Sequence, residues 1–469
     1  MNKVKFVGRE KELKVLNRIY STEKFEFAVI YGRRRVGKTT LINEFAKDKK
    51  TIYFTGIESS FKQNLENFSK SVMECLFGQN VNTTFNSFQD AFEYVFVKSQ
   101  TEKLILVVDE YPYVAHTDSS FASTLQYLID KYKATSSLKL ILCGSSMSYM
   151  EDEVLAYKSP LYGRRTVQLK ILPFDFFDVG KYFPKYSSQD KALVYGVLGG
   201  TPQYLAQFDE NLTIEDNIKN TYLNPSSYLF EETENLLNQE VRDPALYNAI
   251  ISAIATGSSR LVEIANKVGE NTSICTAYLK NLIALGLIKK EFPYGEESSR
   301  KSVYTIEDNM FRFWYRFIPE NRSIISRGAA DLAYENIARE IPNYMGKIFE
   351  EICMQFLWRL LLAGKAPVNF LSLGRWWGTD PSNRSQVEID IMGRENKDKI
   401  LLAECKWTNE KVDLGVLEHL SLKSKLFSCM HVHLFLFAKN GFTQGCEERA
   451  KQMGNVSLVI FSELADAFK

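Results

Sequence analysis

Residues Gly32 to Thr39 read GRRRVGKT and meet G-x-x-x-x-G-K-[ST] at every fixed position. Each fixed residue type has a task in phosphate chemistry. Gly37 lets backbone N–H groups approach phosphate oxygens, and the start of the following helix adds the positive end of its dipole. Lys38 carries its charge to β- and γ-phosphates, and the Thr39 hydroxyl is a ligand for Mg²⁺. The apolar run FEFAVIYG precedes this loop and the helical run TTLINEFAK follows it. That order makes the match specific, and it predicts an ATP site over Gly32, Arg35, Val36, Gly37, Lys38, Thr39 and Thr40.

A second acidic feature supports the first. LILVVDE places Asp109 and Glu110 at the end of an apolar strand. Asp109 is suited to hold a metal ion through water, and Glu110 to polarise an attacking water. The next strand ends in CGSS, where Ser145 or Ser146 would lie beside a γ-phosphate. SPLYGRRT supplies Arg164 and Arg165. One of them would stabilise phosphoryl charge, from this chain or a neighbouring subunit; a solvated or structural arginine pair is the alternative.

A different chemistry is written near the other end. LLAECKW places Glu404 and Lys406 two residues apart, hence on one face of a strand. QVEIDIMG aligns Glu388 and Asp390 in the same way. A polar turn joins the two strands, so antiparallel pairing would bring Asp390, Glu404 and Lys406 together. Carboxylates of this kind bind Mg²⁺ or Mn²⁺ through oxygen, and a metal so held activates water against a phosphodiester. Glu350, in the helical stretch FEEIC, would complete the set. An ordinary cross-strand salt bridge is the competing reading. Arg375, Trp376 and Trp377 in GRWWG, and Arg384, would line a groove by charge and stacking, or form a loop on the core.

These residues need elements to position them. Residues 1–172 alternate β-branched strands with helical patterns, which predicts a parallel sheet covered on both faces. Residues 173–240 read as a helical lid. Residues 241–310 give helices and then a hairpin, the order of a winged helix. Residues 311–340 read as a connector. Residues 341–469 begin with a helix and continue with strands, an α/β domain of its own.

FVGREKEL, YGRRRVGKTTLI, VVDEYPYV, GSSMSYME, SPLYGRRT and LGGTPQYL together resemble the archaeal-type ATPase family, a signal-transducing (STAND) branch of the AAA+-like P-loop ATPases. The resemblance implies that Val7, Gly8 and Arg9 lie near adenine and that Pro202, in GGTP, closes over the nucleotide. It also implies that the winged helix relays nucleotide state. The helix with Glu350 followed by D…ExK resembles the PD-(D/E)XK nucleases, and more narrowly the nuclease-like module fused to such ATPases. On that basis Glu350, Asp390, Glu404 and Lys406 are its site. The expected fold is therefore α/β and multidomain: P-loop core, lid, winged helix and restriction-endonuclease-like domain.

Composition limits the partners. The 469 residues carry a net charge of +1, so any nucleic acid must be held by local patches. Over 241–310 basic and acidic residues are equal in number, and the second helix offers one base, Lys280. Arg300 and Lys301 near the hairpin tip are the best local candidates for DNA. Docking on the ATPase is the competing role. The seven cysteines include no CxxC pair and read as reduced thiols. His431 and His433 share a strand face, which favours packing over zinc. No run is apolar enough to span a bilayer, so a cytoplasmic protein is expected. The reading is an ATP-driven switch coupled to a metal-dependent nuclease acting on DNA or RNA. The alternative is an ATP-gated regulator that binds DNA or protein, with a non-catalytic nuclease-like module. A second copy or a regulatory protein is a further expected partner.

Overall fold

The structure is a computed structural model that describes residues 6–78, 83–297, 301–381 and 384–468. The chain divides into two compact units. The first runs to Pro173 and also includes Thr201–Gln203. The second comprises Phe174–Gly200 and everything from Tyr204 onward.

The first unit is built on five strands: β1 (Glu26–Tyr31), β2 (Thr51–Thr55), β3 (Ile105–Asp109), β4 (Lys139–Gly144) and β5 (Val167–Lys170). They pair in parallel in the order β2-β3-β4-β1-β5. Every residue of β1, β3 and β4 is buried, because helices cover both faces of a parallel sheet. The period of two assigns each side chain its face. Phe27, Val29, Leu106, Val108, Leu140 and Leu142 join a phenylalanine-rich core on one side. Ala28, Ile30, Ile105, Val107, Ile141 and Cys143 meet Leu41, Ile42 and Phe45 on the other. The latter three belong to the helix Lys38–Ala46 that follows the phosphate loop. Neighbours β1 and β4 are not consecutive, and the crevice beyond the carboxyl ends of such strands is where ligands bind in sheets of this type.

Within the second unit, helices Pro244–Ala255, Leu261–Val268 and Thr272–Ala284 precede an antiparallel ribbon of β6 (Ile288–Glu291) and β7 (Val303–Ile306). Helix Ala330–Leu362 then runs unbroken for 33 residues. A mixed sheet follows: β8 (Leu373–Thr379), β9 (Gln386–Arg394), β10 (Lys399–Lys406), β11 (His431–Ala438) and β12 (Val456–Ile460). Its order is β12-β11-β10-β9-β8, with β8, β9 and β10 antiparallel and β10, β11 and β12 parallel. One face of β10, with Leu401, Ala403 and Cys405, packs on Phe349, Ile352 and Phe356 of the long helix. The other, with Ile400 and Leu402, packs on Leu417 and Leu420.

The ribbon is fastened to this sheet. Tyr294, just past β6, donates its N–H to the Arg375 carbonyl of β8 at 2.8 Å. The Arg375 guanidinium reaches Glu291 at 3.2 Å, and Lys289 reaches the same carboxylate at 2.8 Å. Burial alone would raise Glu291; Lys289, Arg375 and Lys347 outweigh it and hold the carboxyl down at about 2.

Two outcomes follow. The folded pKa of Glu291 lies below its unfolded value, so its contribution to stability is complete above about pH 4.5 and is lost as pH falls toward 2. Glu291→Gln removes that contribution, up to about 3 kcal/mol. Urea unfolding of the wild type and the variant should therefore differ at pH 7 and converge as pH falls to about 2 and below. Gly32 is a steric requirement: a Cβ there would lie 2.3 Å from the Ile171 carbonyl oxygen. Gly32→Ala should cost about 2 kcal/mol by overpacking, read as a lower denaturant midpoint.

Candidate functional site

The phosphate loop leaves β1 and turns into the helix Lys38–Ala46 at Gly37, whose φ is 90°. A side chain is strained at that angle, which is why glycine stands there. Pro202 overlies the position, with its Cγ 3.6 Å from where a Cβ of Gly37 would stand. Lys38 is buried, and its ammonium group donates to the carbonyls of Gly32 at 2.9 Å and Arg33 at 3.1 Å. Arg35 also has a positive φ, 73°, while Val36 is fully buried. Thr40 is exposed on the first turn of the helix.

Asp109 ends β3 on the face covered by that helix, in step with Ile105 and Val107. It is 3% exposed, and its carboxylate is surrounded by donors. The Thr39 hydroxyl donates to Oδ2 at 3.0 Å and the Tyr53 phenol to the same oxygen at 2.7 Å. The Glu110 N–H donates to Oδ1 at 3.0 Å. Glu110 takes a left-handed conformation, φ 50°, and its carboxylate accepts the Ser145 hydroxyl at 2.8 Å. Lys38, Thr39, Asp109, Glu110 and Ser145 thus form one group at the carboxyl ends of β1, β3 and β4. A hydroxyl and a carboxylate side by side beneath a glycine-rich loop are the oxygen donors that Mg²⁺ of a nucleotide requires.

Arg9 buries its guanidinium against the loop, donating to the carbonyls of Val36 at 3.0 Å and Leu172 at 2.7 Å. Val7 is half-buried beside it, and Gly8 has a φ of 69°. Arg164 is engaged elsewhere: it chelates Asp130, with Nη2 at 2.6 Å, and donates to the Pro160 carbonyl at 2.8 Å. Arg165 lies over the Tyr162 ring. Residue types alone did not reveal three further participants. Tyr53 reads as strand filler in TIYFT, yet it reaches Asp109 from β2. Arg34 donates to the Tyr113 phenol at 2.7 Å. Arg33 bonds the Thr201 hydroxyl, joining the loop to GGTP.

The second candidate group is in the mixed sheet. Glu404 is 8% exposed, and both its oxygens are taken by ammonium groups. Lys406 holds Oε1 at 2.7 Å, and Lys423 holds Oε2 at 2.8 Å from the end of the helix Leu414–Ser424. Asp390 accepts the Cys405 N–H at 2.8 Å. Burial first, then the charges of Glu404 and Glu350, push its carboxyl up. The carboxylates expected to converge therefore do share one neighbourhood. Glu350 is paired with Lys347 at 2.5 Å and lies 3.7 Å from Arg375. Among the described residues, no group of three or more His, Cys, Asp or Glu side chains is arranged to hold a metal ion. In this structure both oxygens of Glu404 face ammonium groups, so the charge compensation there comes from Lys406 and Lys423.

The expected groove residues are also engaged. Arg375 pairs with Glu291, Glu350 and Glu388. Trp376 packs on Phe427 with ring centroids 5.0 Å apart. The Arg384 backbone N–H donates to the Asp380 carbonyl at 2.8 Å. Lys301 pairs with Glu296 at 3.4 Å, and Arg300 lies outside the described residues. His433 bonds Ser457 at 2.9 Å, and all seven cysteines are free thiols. No helix among the described residues is long and apolar enough to cross a membrane.

Residues 6–208 match a family described as an ATPase domain predominantly from Archaea. Residues 314–416 match a family of archaeal and bacterial proteins of unknown function. An uncharacterized protein of Methanocaldococcus jannaschii is 36% identical over 410 residues, covering 87% of this chain and 88% of that protein. An uncharacterized ATP-binding protein of the same organism is 23% identical over 356 residues, covering 66% of this chain and 93% of that protein. Among solved structures, the Walker-type ATPase of Pyrococcus abyssi is similar in fold. Its TM-score is 0.52 at 19% identity, and the match covers 66% of this chain and 96% of that one. A phosphate loop and acidic strand end of this geometry, in a chain so close to an archaeal relative over most of both lengths, place the protein in the archaeal ATPase family and make it a P-loop NTP hydrolase.

Proposed function

We propose that this ATPase is a nucleotide-gated binding regulator of the signal-transducing kind, whose C-terminal module holds a partner and does not cut nucleic acid. ATP is held by the backbone of Gly32–Thr39, with Arg35, Val36 and Thr40 shaping the loop and Val7, Gly8 and Arg9 bordering the base. Lys38 leaves its loop carbonyls to meet the β- and γ-phosphates. Thr39 and Asp109 are the residues that would hold Mg²⁺, which neutralises charge developing on the phosphates. Glu110 is the group that polarises water, and the Ser145 hydroxyl orients its carboxylate. Thr201–Gln203 belong with the nucleotide-binding unit, whereas the residues on either side of that segment belong to the second. A change at the loop is therefore tied by backbone to the second unit.

The observation that carries the binding role is the pairing of both Glu404 oxygens with Lys406 and Lys423. The charge balance that a divalent cation would supply is already met by ammonium groups. The three helices and ribbon over 241–310 are assigned as a winged helix that binds protein. Val262, Ile274 and Ile283 are 59%, 38% and 39% exposed on its helices, where a DNA reader needs cations. One observation favours the nuclease reading: Asp390, Glu404 and Glu350 are close enough for their charges to act on one another.

Lys38→Ala should abolish binding of a fluorescent ATP analogue, and unchanged affinity would refute the loop assignment. Glu110→Gln should bind ATP normally and hydrolyse it about a hundredfold more slowly. Incubation with plasmid DNA or RNA in Mn²⁺ should give no cleavage. Cleavage by the wild type that disappears in Glu404→Ala would establish the nuclease instead.

A further inference from the structure

We propose that Tyr53 is a positioning residue for ATP hydrolysis, fixing the Asp109 carboxylate in the orientation that serves nucleotide-bound Mg²⁺. The inference rests on Asp109 being the residue that holds the metal through water. Tyr53 lies at the middle of β2, and its ring sits on the sheet face covered by the phosphate-loop helix. The register pairs Tyr53 with Val107, two residues before Asp109 on the same face. From there the phenol reaches Asp109 Oδ2 at 2.7 Å, shorter than the 3.0 Å bonds from Thr39 and from the Glu110 N–H.

The need for this contact follows from the chemistry of the carboxylate. The terminal torsion of aspartate has broad, shallow preferences, so the group turns unless bonds fix it. A carboxylate offers about four acceptor positions. Here Oδ2 takes two hydroxyl donors and Oδ1 takes a backbone N–H. Two donors on Oδ2 set the plane of the group and leave lone-pair capacity on Oδ1. Thr39 must also offer its oxygen to the metal, so its hydroxyl serves two partners. Tyr53 comes from neither the phosphate loop nor the acidic strand, so it holds Asp109 still while the loop adjusts to nucleotide. Outer partners of metal-holding carboxylates commonly account for about tenfold or more in metal affinity.

Tyr53→Phe keeps the ring and removes only the donor. In the full-length protein, binding of a fluorescent ATP analogue is measured with EDTA and across a Mg²⁺ titration, together with steady-state hydrolysis and thermal unfolding. The expected result is unchanged affinity in EDTA, with the midpoint of unfolding lowered by no more than the few degrees that one lost hydrogen bond costs. The Mg²⁺ concentration for half-maximal effect should rise about tenfold in both binding and hydrolysis, with kcat restored at saturating Mg²⁺. Asp109→Asn is the control. If it shifts the Mg²⁺ dependence and Tyr53→Phe does not, the role of Tyr53 is refuted while the metal assignment stands. If neither shifts it, the metal assignment itself is wrong. Adding Tyr53→Phe to Asp109→Asn should produce no further shift; an additive shift would show that Tyr53 acts elsewhere and overturn the proposal.

Discussion

A single buried carboxylate, Asp109, ties the phosphate loop to the sheet. It is almost without solvent and at the end of a strand, and among the described residues no basic side chain is bonded to it. Burying a charge is tolerated only when hydrogen bonds replace its water. The surrounding architecture supplies them: Thr39 from the first helical turn, Tyr53 from the neighbouring strand, and a backbone amide from Glu110. Each donor needs its own element in register. The parallel order β2-β3-β4-β1-β5 places β2 beside β3 and leaves β1 one strand away. The geometry of the candidate nucleotide site is thus a consequence of satisfying one anion.

The C-terminal sheet solves a similar problem by another route. Glu404 is also buried, but it is compensated by two ammonium groups from outside the carboxylate set. Asp390 has one backbone donor and two acidic neighbours, and its carboxyl is raised accordingly. Arg375 distributes its charge among Glu291, Glu350 and Glu388, drawn from three different elements. The result is a part-buried ion network between ribbon, helix and sheet, with Glu388 at its exposed rim.

The sequence and the structure agree where chemistry is local. GRRRVGKT and VVDE mark the candidate nucleotide site because their residues are contiguous and the strand–loop–helix order is dictated by apolar runs. The period of two aligned Asp390 and Glu404, and in the structure the charge of one acts on the other. What could not be read was pairing across sequence. Lys423 is nineteen residues beyond Glu404 at the end of an amphipathic helix, and nothing in SLKSK marks that lysine as the one that turns inward. Arg164 stood beside a promising motif, but Asp130, thirty-four residues away, claims it. Tyr53 was hidden because a strand does not announce which strand will lie beside it.

The long helix Ala330–Leu362 also has a mechanical consequence. At 33 residues it is about 50 Å from end to end. Pro342 lies within it and cannot donate a backbone bond, so that point resists bending less than the turns on either side. Its far segment carries Phe349, Ile352 and Phe356, the side chains on which β10 rests. About 30 Å of helix extends beyond the proline, so a tilt of about 5° displaces its tip by about 3 Å. The helix is in effect a compliant lever, and the sheet rests on its longer arm.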